Sequence, residues 1–138
     1  MSIQTQIFDA DVSGATPIRV LLADDHPTNR TVIELILGMV GAEVVSVEDG
    51  AQAVERFKGQ SFDVVLMDVQ MPVMDGLTAI REIRAYEATR GSSRTPVHVV
   101  STNSLPEHFR DSMAAGADSH ITKPIAAPML LSAVMTSR

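Results

Sequence analysis

Residues 63–76 read DVVLMDVQMPVMDG, and the step from apolar to acidic at Asp68 decides the fold. The run Asp63 to Met67 (DVVLM) shows no polar alternation, so neither face of a strand built from it suits water. A strand apolar on both faces belongs inside a parallel sheet covered by helices on two sides. The helix such a sheet needs comes at once, because Leu77, Ile80, Ile83 and Ala88 fall on one side of Leu77 to Ala88 at helical spacing.

Outward from this unit the pattern repeats. Toward the N-terminus, Ile18 to Ala23 (IRVLLA) is a strand and Thr28 to Val40 a helix, with Val32, Ile33, Ile36, Leu37 and Val40 at helical spacing. Glu43 to Val47 is a second strand and Ala51 to Lys58 a short helix. Toward the C-terminus, Gly91, Ser92 and Ser93 break the third helix. Val97 to Val100 is then a strand, Glu107 to Ala115 a helix ended by Gly116, Ser119 to Thr122 a strand and Pro128 to Met135 a helix. Five strand–helix units in succession predict an α/β fold, a doubly wound (βα)5 three-layer sandwich. Periodicity leaves the strand order open; 2-1-3-4-5 is the commoner of the small options. Residues 1–17 are small and polar without a period and end in Pro17, so a leader or linker is expected there, with the domain over 18–138.

The 138 residues suffice for one domain with its own core. Without cysteine, the chain has no thiolate chemistry, disulfide or thiolate zinc site. No apolar run approaches the ~20 residues that span a bilayer, and the first residues lack a signal-peptide pattern. A formal net charge of -6 argues against gripping nucleic acid. The expectation is a cytoplasmic domain without membrane insertion.

In open parallel sheets, ligands bind beyond the carboxyl ends of the strands. Asp24 and Asp25 come after the first strand, Asp68 after the third, Ser101 and Thr102 after the fourth, and Lys123 with Pro124 after the fifth. Clustered carboxylates repel one another unless a cation joins them, and hard oxygen ligands select Mg²⁺ or Mn²⁺ over zinc or copper. An ionised carboxylate is itself a nucleophile, so aspartyl-phosphate chemistry needs no general base. It needs positioning and charge neutralisation, which Lys123, the Ser101 hydroxyl and nearby backbone N–H groups can supply. Each residue alone has an ordinary reading: Asp25, two before Pro27, can cap the next helix, and a Lys-Pro after a strand is commonly a loop. An acid pair, an acid, a hydroxyl and a lysine at successive strand ends point instead to one site.

The segments VLLADDHPTNR, DVVLMDVQMPVMDGLTAIREIR, VHVVSTNS and GADSHITKPI resemble, in order, the signature stretches of response-regulator receiver domains, over about residues 18 to 135. The resemblance implies a flavodoxin-like fold with strand order 2-1-3-4-5. It implies that Asp68 is the phospho-acceptor, that Asp25 and Asp68 ligate Mg²⁺ directly, that Asp24 helps through water, and that the Gln70 backbone carbonyl completes the protein ligands. Lys123 would contact the phosphoryl group, with the backbone of Val69 and Thr102, and Ser101 would be the switch hydroxyl. Such a module is not a classical enzyme; it catalyses its own phosphorylation from a phosphohistidine and loses the group slowly.

The chain departs from the common pattern in three places. Ser101 stands where Thr is more usual, Thr102 where Ala or Gly is usual, and His120 where an aromatic residue usually swings inward on activation. His120 has an alternative reading as a hydrogen-bonded strand-end histidine. His98 is expected to be packed, and His26 to be a loop residue rather than a ligand.

The partners implied are a histidine kinase or histidine phosphotransfer protein, met at Thr31, Glu34, Leu35 and Gly38 of the first helix, and a downstream protein on the face of the fourth helix, fifth strand and fifth helix. Asn29-Arg30 resembles receivers of hybrid histidine kinases, while a free-standing regulator fits equally; in a hybrid, the kinase activity lies in other domains. Gln70 and Asn103, near the acceptor, are candidates to tune the phosphoryl lifetime. Two rivals are weaker: a haloacid-dehalogenase-type phosphatase needs an acid where Gln70 stands, and a pseudo-receiver would not need all the acids and Lys123.

Overall fold

The computed structural model describes residues 16–102 and 105–137. The expected leader up to Ala15, and Asn103, lie outside these residues. The elements alternate as expected: β1 (Arg19–Ala23), α1 (Pro27–Gly38), β2 (Glu43–Val47), α2 (Gly50–Gly59), β3 (Val64–Asp68), α3 (Gly76–Arg90), β4 (Val97–Ser101), α4 (Pro106–Ala115), β5 (Ser119–Thr122) and α5 (Ala127–Thr136). The strands form one parallel sheet in the order β2-β1-β3-β4-β5. Every residue of β3 and β4 is buried, while the edge strands β2 and β5 are partly exposed. The unbroken apolar run DVVLM thus marks a central strand.

Because successive residues of a strand point to opposite faces, the sheet divides the core in two. Leu21, Val65, Met67, Val97 and Val99 pack with Phe57, Ile80 and Ile83 on one side. Val20, Leu22, Leu66, Val100 and Ile121 pack with Ile33, Leu37, Leu130 and Val134 on the other.

Two helix faces differ from the sequence pattern. Ala88 is exposed, and Glu87 is buried in its place. Glu87 can be there because Arg84 Nη1 donates to its Oε1 at 2.9 Å and the Thr95 N–H to its Oε2 at 2.7 Å. On α1 only Ile33 and Leu37 are fully buried and Val32 faces solvent, while Val40, expected on this helix, lies past its end at Gly38 and is exposed too. Nor does Asp25 cap α1: the residue before the helix is His26, which makes no side-chain cap. Asp49 and Asp75 do cap, accepting the N–H groups of Gln52 and Thr78 at 2.8 Å each.

Candidate functional site

The parallel register brings the chemistry-bearing residues to one edge. Ala23 pairs with Met67, Asp68 with Val100, and Ser101 with Thr122, so Asp24, Asp68, Ser101 and Lys123 emerge at one level. Asp24 and Asp68 are buried. Lys123 Nζ lies 3.1 Å from Asp24 Oδ2 and 3.6 Å from Asp68 Oδ1. The Lys123 backbone is fixed as well, its N–H donating to the Ser101 carbonyl at 2.8 Å. Burial raises the Asp68 carboxyl above its ordinary range against the pull of Lys123, and the nearby Asp24 and Asp25 add to the rise. The Val69 N–H hydrogen-bonds Asp68 and works the other way.

Asp24, Asp25, Asp68 and His26 each bring a ligand atom within 4.8 Å of the others. Three of the four offer hard carboxylate oxygens, the donor type of Mg²⁺. Asp25 Oδ1 is buried and accepts no hydrogen bond, and His26 Nδ1 lies at ion-pair distance from it, 3.0 Å away. A buried carboxylate oxygen left bare beside two other carboxylates fits a divalent cation. His26 is largely exposed, as a loop residue should be, yet its ring joins the edge of this cluster.

Asp25, Val69 and Gln70 line an open cleft of about 710 Å³ with Met71, Pro72 and Leu77. The β3–α3 loop forming its wall is firmly held. The Gly76 N–H donates to the Val69 carbonyl at 2.8 Å and the Gly50 N–H to the Met74 carbonyl at 2.9 Å. A Cβ at Gly76 would collide with the Asp68 carbonyl, so only glycine lets α3 start this close to Asp68. Val73, at the loop tip, has φ 68°, rare for a β-branched residue.

Ser101 is buried and Thr102 exposed at the end of β4. Ser101 and His120 share the lining of a small cavity of about 100 Å³ with Leu77, His108 and Ser112. His120 Nδ1 and Ser112 Oγ are 3.0 Å apart, and the Phe109 ring lies over the imidazole at 4.4 Å between centroids.

A protein-family model, the response regulator receiver domain, matches residues 20–135. This chain belongs to that family. Among curated relatives, this receiver domain is 42% identical over 117 residues to the sensor protein GacS of Pseudomonas syringae pv. syringae, covering 85% of this chain and 13% of that one. The chain thus spans a small part of such sensor kinases. It is also 39% identical over 117 residues to the chemotaxis protein CheY of Bacillus subtilis, covering 84% of this chain and 93% of CheY. Among solved structures, the receiver domain of the sensor histidine kinase PA1611 from Pseudomonas aeruginosa PAO1 is 36% identical with a TM-score of 0.79, over 88% of this chain and 97% of that one. That structure has a magnesium ion coordinated in its active-site cleft. Among the described residues, no helix of the receiver domain is long and apolar enough to cross a membrane.

The structure adds two residues to the receiver site that sequence reasoning passed over. Arg30 Nη1 donates to the Asp24 carbonyl at 2.7 Å and so holds the backbone of the acid pair. Gly76 sets the approach of α3 to Asp68. Both stand inside conspicuous motifs, NR after the acid pair and DG after the Met-Pro turn, but the first is read only as a likeness to hybrid-kinase receivers and glycine has no side chain to draw attention.

Proposed function

We propose that this receiver domain accepts a phosphoryl group on Asp68, from a phosphohistidine of a histidine kinase or histidine phosphotransfer protein, in a Mg²⁺-dependent reaction. One observation supports this reading above the others: a single buried-side ammonium, Lys123, reaches both Asp24 and Asp68 beside a bare Asp25 oxygen. An Asp68 oxygen attacks phosphorus, the P–N bond breaks, and its electron pair returns to the imidazole nitrogen. Lys123 opposes the charge on the phosphoryl oxygens, and the Val69 and Thr102 N–H groups donate to them. Asp25, Asp68 and the Gln70 carbonyl would hold the Mg²⁺, with Asp24 beside them, and the ion would supply the remaining charge neutralisation.

The output is a change in protein contacts. The phosphoryl group draws the Ser101 hydroxyl toward Asp68, and His120 moves with it into the neighbouring cavity, shifting the face made by α4, β5 and α5. Thr31, Glu34, Leu35 and Gly38 form an exposed stripe on α1 where the phosphohistidine partner docks. The domain works in the cytoplasm as a signalling acceptor, either free-standing, as its coverage of CheY suits, or within a hybrid kinase, as its likeness to GacS suits.

The test is intact-mass analysis after incubation with Mg²⁺ and acetyl phosphate or a phosphorylated histidine kinase. One added phosphoryl mass, absent in Asp68→Asn and after EDTA treatment, is the expected result. A gain that survives Asp68→Asn, or no gain from either donor, would overturn the assignment.

A further inference from the structure

At the end of the sheet away from Asp68, where the α2–β3 and α3–β4 loops meet, lies a second groove of about 550 Å³. Its volume is within the range of small-molecule sites, roughly 300–1,000 Å³. Lys58 and Arg90 border it, and both lie against Tyr86. Lys58 Nζ is 5.5 Å and Arg90 Cζ 5.3 Å from the ring centroid, and Arg90 Nη1 donates to the Tyr86 hydroxyl at 2.6 Å. No carboxylate lines the groove, although the chain has 17 acidic residues. Among the described residues, neither cation forms an ion pair with one.

Cations near the ends of two helices offset the helix dipole. Here, four of the last-turn carbonyls already have other donors. The Gln60 N–H reaches Arg56 O at 3.1 Å, the Tyr86 hydroxyl Lys58 O at 3.2 Å, the Gly91 N–H Ala88 O at 3.3 Å and the Ser92 N–H Glu87 O at 3.1 Å. Neither Lys58 nor Arg90 donates to any of these carbonyls. The exposed Ser92 and Ser93 add hydroxyls to the groove. The Gln60 Oε1 is committed to Arg19 Nη2 at 2.8 Å, which leaves that side chain only N–H groups to offer. The side-chain groups left over are thus cations, N–H groups and hydroxyls, while of the two lining phenylalanines Phe57 is buried in the core and Phe62 has the Arg19 guanidinium over its ring.

We propose that this groove is a second ligand site, separate from the phospho-acceptor, for a small phosphomonoester. A phosphate dianion has the acceptor oxygens for the cations and hydroxyls that border the groove.

The probe is adenosine 5′-monophosphate, with adenosine as the uncharged control, titrated in EDTA into the ¹⁵N-labelled chain. EDTA keeps Mg²⁺ from bringing phosphate to the Asp68 site. The expected result is saturable amide shifts confined to residues 57–62 and 86–95, with adenosine at least about tenfold weaker. In the double variant Lys58→Gln/Arg90→Gln the affinity falls at least about tenfold, while Mg²⁺-dependent phosphorylation of Asp68 is unchanged. Both side chains sit at the surface, and glutamine keeps the helices. Shifts that do not saturate below about 10 mM, equal binding of adenosine, or a double variant that binds as the wild type would each overturn the proposal.

Discussion

Lys123 reaches across the sheet to Asp24, its Nζ 3.1 Å from Oδ2, although the two residues stand 99 positions apart in the chain. The acid pair of the first strand and the lysine after the fifth thus form one electrostatic unit around Asp68. A cation shared by buried carboxylates steadies the metal-free site and opposes phosphoryl charge during transfer.

Lys123→Met should therefore act twice. Leaving buried carboxylates without their cation costs about 3 kcal/mol of metal-free stability, read as a lower urea midpoint, and Mg²⁺ should recover part of it. Phosphoryl transfer to Asp68 should slow by about 10²-fold even at saturating Mg²⁺. A transfer rate equal to wild type would remove Lys123 from the reaction.

Asp25 has the bare oxygen, so Asp25→Ala should weaken Mg²⁺ binding by at least about tenfold. The readout is the Mg²⁺ dependence of the melting temperature, since a ligand that binds only the folded state stabilises it by mass action. Without metal the variant should be no less stable than wild type, because one of three mutually repelling carboxylates is gone.

Gly76→Ala places a methyl group against the Asp68 carbonyl. Backbone cannot yield as a flexible side chain can, so a loss of about 3 kcal/mol is expected together with impaired phosphorylation. Gly59→Ala, whose Cβ would meet nothing within 4 Å, is the control and should leave both unchanged.

His98 supplies the pH dependence. Its Nε2 lies 2.8 Å from Ser137 Oγ, and that hydroxyl donates onward to the Ala133 carbonyl at 2.6 Å. Nε2 must therefore bear the proton, and Nδ1 accepts from Ser119 Oγ at 2.6 Å. Burial holds the imidazole below its ordinary 6.5, with Asp118 and the Ala133 carbonyl pulling the other way. Between the folded value and 6.5 the unfolded chain binds more protons, so stability is complete above 6.5 and falls as pH drops below it. His98→Leu should flatten the wild-type curve in that window. Asp118, which burial pushes up but the Val97 N–H and Arg94 hold low on balance, loses its contribution in a separate window below 3.8. An unchanged slope between pH 5 and 6.5 in the leucine variant would show that His98 is not the group responsible.

The strands β1, β3 and β4 were legible as short apolar runs ended by a polar residue, since parallel strands buried on both faces need no alternation. The edge strands β2 and β5 were legible from their place in the strand–helix succession. Strand three was the instructive case. Its apolar run stops at Met67, but the ladder continues to Asp68, which pairs with Val100, because the backbone pairs whatever the side chain is. Ala88 and Glu87 show the limit of helical periodicity, since a buried glutamate is stable only where Arg84 and the Thr95 N–H meet it, and no local pattern reveals them.

Composition and the order of motifs along the chain determined the fold class, the absence of thiol chemistry and the roster of Asp24, Asp25, Asp68, Ser101 and Lys123 as strand-end residues. These are local properties: the apolar period, the turn residues and the polar side chain at the end of each strand. The strand order, the reach of Lys123 to two carboxylates, the bare oxygen of Asp25, the protonated nitrogen of His98 and the groove beside Tyr86 were decided only by the tertiary structure. Each depends on distances between side chains far apart in sequence, and those distances exist only once the sheet has set its register and the helices have packed against it.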